Sequence, residues 1–271
     1  MGFHRAGRLR TIALAGAIVI SLASGAVAQR YYGFRNEVAE EHNVRYDGRF
    51  TFMRLKYHVA PGGFYYRGTP AWAHGFANTE SGVSAEHQLM KIMDAISAVH
   101  PHLDESNVFA IDDPDVGYFP VAYMTEAGYW ELSDAEAAAF RAYLEKGGFV
   151  IFDDFRPPPR GGGGWETFAD NMRRILPWAE IVDLQPTNPI FHVFYDINSL
   201  TIIPQDYDFN RPIIRGIFQD NDRSGRLLAV INYNTDVANF WEFSGTGRMM
   251  VSDSNEAFKL GVNYLIYGLT H

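Results

Sequence analysis

The sequence contains no cysteine. Disulfides, a thiolate nucleophile and a lipid anchor on an N-terminal cysteine are therefore all excluded. Also missing are the short signatures of several enzyme classes. No Gly-x-Ser-x-Gly elbow marks a serine hydrolase, and no His-Glu-x-x-His pair marks a zinc peptidase. No Gly-x-Gly-x-x-Gly loop marks a dinucleotide site, and the glycines of Arg156 to Trp165 are followed by no Lys-Ser or Lys-Thr, which excludes a phosphate-binding P-loop. The chain calls for no cofactor. Positive charge is scarce as well, with 23 Lys+Arg against 32 Asp+Glu. Nucleic acid and anionic membrane surfaces are poor partners for such a chain.

Long hydrophobic runs are lacking too. The longest, Thr11 to Ser24, is about 14 residues, short of the ~20 that a spanning helix needs. It follows Arg5, Arg8 and Arg10 and precedes Ala26-Val27-Ala28, the order of basic, apolar and small-residue regions in a cleavable signal peptide. Residues 1–28 are expected to be removed after Ala28, giving a periplasmic or secreted protein with no membrane span. The mature chain would hold 20 basic against 32 acidic residues, a net charge of −12. At about 240 residues it is long enough to bury one adequate core without disulfides. Residues 29–49 read as an extended arm, and residues 50–271 as a single α/β domain.

What is present is organised around Glu131 to Pro159. Ser133 and Glu136 form a capping box, Ala137, Phe140 and Leu144 an apolar stripe, and Gly147-Gly148 a helix stop. Phe149 to Phe152 is an unbroken apolar run, as in a strand covered on both faces of a parallel sheet, and it ends in Asp153-Asp154. Ligands of open α/β folds bind beyond the carboxyl ends of such strands, so these two acids are candidate ligand-binding or catalytic residues. Adjacent strand positions face opposite ways, which argues against both serving one site.

Elsewhere Phe50 to Tyr57 alternates, placing Phe50, Phe52, Arg54 and Lys56 on one face of a first strand. Pro61 to Gly75, rich in glycine and aromatics, reads as an irregular surface loop. Ser84 opens a helix in which Glu86 lies at the edge of the stripe made by Leu89, Ile92, Met93 and Ile96. There it complements the helix dipole or contributes to a site. His192 and Asp196, four residues apart, are weak metal candidates, and a hydrogen-bonded core histidine is the simpler reading. Asp206 to Asn210 and Asp220 to Gly225 resemble calcium loops but lack the closing glutamate, and the second suits a hairpin turn. Asn232 to Phe243 adds a second polar cluster past a strand, with Asp236, Trp241 and Glu242 as ligand-binding candidates. Asn255 to Leu269 fits a helix packed on the sheet.

The blocks YMTEAGYWELSDAEAAAFRAYLEKGGFVIFDDF, NPIFHVFYDI, NYNTDVANFWE and AFKLGVNYLIYGLTH, with FTFMRLKY before them, resemble a bacterial family named only as domain of unknown function 4159. The resemblance implies a mostly parallel, flavodoxin-like three-layer sandwich, similar to the class I glutamine amidotransferase group. It also implies an envelope protein partner from a system associated with MoxR-type ATPases. Glutaminase chemistry needs a cysteine, so that activity is excluded. Two functions remain. One is a non-catalytic ligand- or protein-binding module of the cell envelope. The other is a carboxylate- or metal-dependent hydrolase, on carbohydrate for instance, in which Asp153 and Asp154 act with Glu86, Glu242 or His192. The stretch Gly161 to Gly164 would then suit a lid.

Overall fold

The computed structural model describes residues 43–63, 68–76, 84–155, 164–202 and 211–271. The signal-like segment, most of the arm, the first calcium-like stretch and Gly161 to Gly163 lie outside the described residues. The chain divides into two units. Of the first, Met1–Glu37 with Tyr65–Thr69, only residues 68 and 69 are described. The second, Val38–Phe64 with Pro70–His271, holds every element discussed below.

Seven strands form one sheet: β1 (Phe52–Lys56), β2 (Ser106–Ala110), β3 (Val121–Thr125), β4 (Phe149–Phe155), β5 (Ile181–Asp183), β6 (Ile213–Phe218) and β7 (Leu227–Tyr233), in the order β2-β1-β3-β4-β7-β6-β5. From β2 to β7 neighbours run parallel, whereas β6 and β5 join antiparallel. The parallel part has flavodoxin-like order. After β1 the chain goes outward to β2 and then returns to the other side of β1 as β3, which creates a switch point between the carboxyl ends of β1 and β3.

Among the described residues five α-helices accompany the sheet: α1 (Ala85–Ile96), α2 (Asp134–Glu145), α3 (Gly164–Ile175), α4 (Val237–Glu242) and α5 (Val251–Thr270). Ser84 caps α1, and the predicted capping box opens α2, with Ser133 and Glu136 each bonded to the other's backbone. β4 is central and buried along its whole length, as its unbroken apolar run requires. Phe149 and Ile151 pack with Leu89 and Met93 of α1 and with Leu260 and Tyr264 of α5. Phe152, pointing the other way, meets Phe140 of α2 and Phe168 of α3 edge-on. Turn chemistry at Asp220 to Gly225 joins β6 to β7 as a hairpin.

Arg54, in the middle of β1, is fully buried, its guanidinium covered by Glu86 of α1, the segment Trp72 to Phe76 and Tyr123. No helix among the described residues is long and apolar enough to cross a membrane.

Candidate functional site

Three neighbouring strands, β3, β4 and β7, end in residues with left-handed backbone: Glu126 (φ 49°), Asp154 (φ 59°) and Asn234 (φ 66°). Asparagine and aspartate tolerate this conformation. For glutamate it costs about 1–2 kcal/mol. Such strain persists only where surrounding bonds over-determine it, and it clusters at functional sites. The bonds are present. Tyr57 Oη donates to the Thr125 and Glu126 carbonyls at 3.0 and 2.7 Å. Glu126 N donates to Asp153 O, and Asn234 N to Phe155 O, both at 3.0 Å.

β4 contains a bulge at the same level. Between Phe152↔Ile231 and Phe155↔Tyr233, three steps along β4 match two along β7. An extra residue of this kind re-aims side chains. The two acids consequently do different things. Asp153 is wholly buried and accepts four hydrogen bonds: from Asn232 Nδ2 (2.9 Å) and Val237 N (3.2 Å) on Oδ1, and from Tyr123 Oη (3.0 Å) and Ala238 N (2.9 Å) on Oδ2. It ties β4 to β3, to β7 and to the start of α4. Burial raises its pKa, the bonds from Asn232 and Ala238 lower it, and the charge of Asp154 raises it further, with a net upward shift. Asp154 turns instead to His74, whose Nδ1 lies 3.0 Å from Asp154 Oδ2.

His74 is where the groups meet. Its Nδ1 is also 3.7 Å from Asp236 Oδ2 and 4.0 Å from Glu126 Oε1, and its ring keeps 28% exposure. Asp236 uses its other oxygen to cap α4, accepting from Asn239 N at 3.0 Å. One imidazole thus faces three carboxylates, each 2% exposed as a residue. The residues come from the segment after β1 and from the ends of β3, β4 and β7, so the group straddles the switch point. Among the described residues, His74, Glu126 and Asp154 are the only set of three or more histidines and acids with ligand atoms all within 4.8 Å of one another.

Behind His74 stands Arg54. Its Nη1 donates to the carbonyls of Trp72 (2.9 Å) and His74 (2.8 Å), and its Nε donates to Glu86 Oε1 at 2.5 Å. Burial is the largest influence and works against the guanidinium charge, but Glu86, Tyr123 and Asp236 together outweigh it and the pKa is raised. Beside the group lies a small, shallow cleft lined by Glu126, Gly128, Tyr129, Asp154, Phe155, Gly164 and Trp165.

Of the residues singled out in the sequence, Asp154 and Asp236 meet at this group. Asp153 serves the fold beside it, and Glu86, in the first turn of α1 as expected, is buried there as the partner of Arg54. Trp241 is 1% exposed, with Nε1 bonded to Ala257 O and its ring against Gly261, which places it in the core, and it does not line the cleft beside Asp154. Glu242 is buried near Gly75. His192 and Asp196 pair at 3.1 Å on the surface. That bond raises the imidazole pKa, and among the described residues no third histidine or acid joins them to make a metal-ligand group. His74 and Glu126 escaped the sequence reading. Glu126 directly follows β3, the same kind of signal that drew attention to Asp153-Asp154, whereas His74 lies 18 residues past the end of β1, where no strand-end signal reaches.

Strand order and site position together define an α/β domain of flavodoxin-like topology with a histidine–carboxylate group at its switch point. Residues 51–269 match the family described as "Domain of unknown function (DUF4159)", and the chain belongs to that family. A comparison with curated proteins found no match.

Proposed function

We propose that this protein is a divalent-cation-dependent hydrolase of the cell envelope, with His74, Glu126 and Asp154 as the cation-holding set and Asp236 beside it. The observation that carries the reading is the spacing around His74 Nδ1, at 3.0, 3.7 and 4.0 Å from three carboxylate oxygens. Ligand bonds of about 2.0–2.2 Å place neighbouring ligand atoms about 3–4 Å apart. Charge supports the same reading. Three carboxylates around one imidazole cannot all stay ionised in a buried site without protons or a cation to offset them. A bound cation would activate a water and polarise a substrate oxygen.

The aromatic cleft of Tyr129, Phe155 and Trp165 favours a second reading, a binding module that uses the same centre without turnover. Export rests on residues 1–28 alone. Sequencing the N-terminus of the mature protein should give Gln29 first.

The decisive test is thermal unfolding of metal-stripped protein with Mg²⁺, Mn²⁺, Zn²⁺ or Ca²⁺ added. A cation at about 100 times its Kd adds about 2.7 kcal/mol. That should raise Tm by about 5–10 °C in a domain of this size. His74→Ala and Asp154→Asn should abolish the rise. No shift with any of these ions in the wild-type protein would overturn the reading. Binding without hydrolysis across ester, amide and glycoside substrates would favour the module.

A further inference from the structure

Arg54 is an unusual residue to find in the middle of a parallel strand. It is fully buried, as is its partner Glu86, 1% exposed in the first turn of α1. Burying an ion pair of this kind generally gains no stability over an apolar pair of similar volume, because the desolvation cost matches or exceeds the attraction. A stability argument therefore does not account for it.

The position of its donors does. Nη1 reaches two successive turns of the segment that carries His74, holding Trp72 O and His74 O at once, while Nε is fixed by Glu86. The guanidinium plane is packed by Tyr123 at 4.8 Å and Phe76 at 5.6 Å from the ring centroids. A second tie runs from α1 to the same segment, through Ala85 N and Gly75 O at 2.9 Å. Within its described residues the His74 segment holds only the short 3-10 turn Ala71–Ala73, so these side-chain and backbone ties carry much of its placement. Lysine could not do the same work. One ammonium cannot present a fixed planar fork to two carbonyls and a carboxylate.

We propose that Arg54, oriented by Glu86, is the positioning residue of the centre. It clamps the backbone of His74 so that the imidazole meets Asp154, Glu126 and Asp236, and it touches none of the ligand atoms itself. The proposal deepens the cation-site reading and rests on it for its functional consequence. Outer residues that orient ligands typically set about 10–100-fold in metal affinity.

The test uses Arg54→Met/Glu86→Leu, which replaces the pair by apolar groups so that no lone charge is buried, and Arg54→Lys, which keeps the charge and loses the fork. Two readouts separate the claims. In metal-stripped protein, the ring-nitrogen NMR signals of His74, assigned by their loss in His74→Ala, report its tautomer and order without any cation. We expect one tautomer in the wild type, and averaged or broadened signals in both variants while the other histidines stay put. Cation titration should show affinity lowered about 10–100-fold in the folded variants. Unchanged His74 signals in either folded variant would overturn the positioning role. A wild-type protein that binds no cation but shows the His74 change would overturn the cation reading and leave the clamp standing. If the double variant fails to fold, Arg54→Lys decides the outcome.

Discussion

Gly128 and Gly164 meet backbone to backbone: a methyl carbon built on Gly128 would lie 2.6 Å from the Cα of Gly164, and one on Gly164 2.7 Å from the Cα of Gly128. The contact joins the segment after β3 to the first residue of α3, and both glycines line the cleft beside Glu126 and Asp154. A side chain at either position must push the two segments apart. Gly128→Ala and Gly164→Ala should each cost about 1–3 kcal/mol, as overpacking does. The double variant should cost less than their sum, because one displacement accommodates both methyls. Urea unfolding of the three proteins measures it. Full additivity would mean that the segments yield independently.

Asp153 and Asp154 should respond oppositely to the same chemical change. In Asp153→Asn, one amide nitrogen must face donors that a carboxylate oxygen now accepts from, including Ala238 N or Val237 N. Each buried donor left unmet costs about 1–3 kcal/mol, so the midpoint of unfolding should fall. Asp154→Asn keeps a residue type that suits positive φ and removes one of three crowded charges. Its stability should stay within about 1 kcal/mol of wild type while the cation response disappears. Denaturant midpoints and cation-induced Tm shifts, measured side by side, check the contrast. A stable Asp153→Asn protein would remove Asp153 from its place at the hub of β3, β4, β7 and α4.

Local signals in the sequence carried far and then stopped at long-range ones. Ser133 with Glu136, the run Phe149 to Phe152 and the hairpin turn at Asp220 to Gly225 each depend on a few neighbouring residues, and each is found where it was expected. The separation of Asp153 from Asp154 follows in part from strand alternation. What sharpened it is the bulge, which no glycine announces. The burial of Arg54 was not legible, because alternation is read within one strand, whereas the groups that cover its guanidinium, Glu86 32 residues away, Phe76 and Tyr123, come from elsewhere in the chain. His74 lay hidden in a loop with no period of its own. Only the switch-point topology brings it to Glu126 and Asp154, and that topology depends on the order in which strands pair.

The buried tyrosines set a limit on the alkaline side. Tyr57, Tyr123, Tyr143 and Tyr264 have pKa values raised above the usual value near 10, in each case chiefly by burial. Their hydroxyls donate to the Glu126 carbonyl, Asp153, the Phe119 carbonyl and Asn232. The folded state therefore holds protons that the unfolded state releases once pH passes about 10. A raised folded-state pKa gives stability that is complete below the unfolded value and is lost as pH climbs beyond it. Each tyrosine should contribute a decline of about 1.4 kcal/mol per pH unit in that range. The protein should accordingly unfold cooperatively above about pH 10, with tyrosinate absorbance from these residues rising in step with the loss of far-ultraviolet circular dichroism. Tyr264→Phe removes one of the four and should flatten the decline by its share. Its hydroxyl bonds Asn232, which in turn bonds Asp153, so the variant also tests whether the hub remains folded without that support. Tyrosinate signals from the buried set that precede unfolding would show that solvent reaches these hydroxyls in the native state, and the burial argument for Asp153 would fail with them.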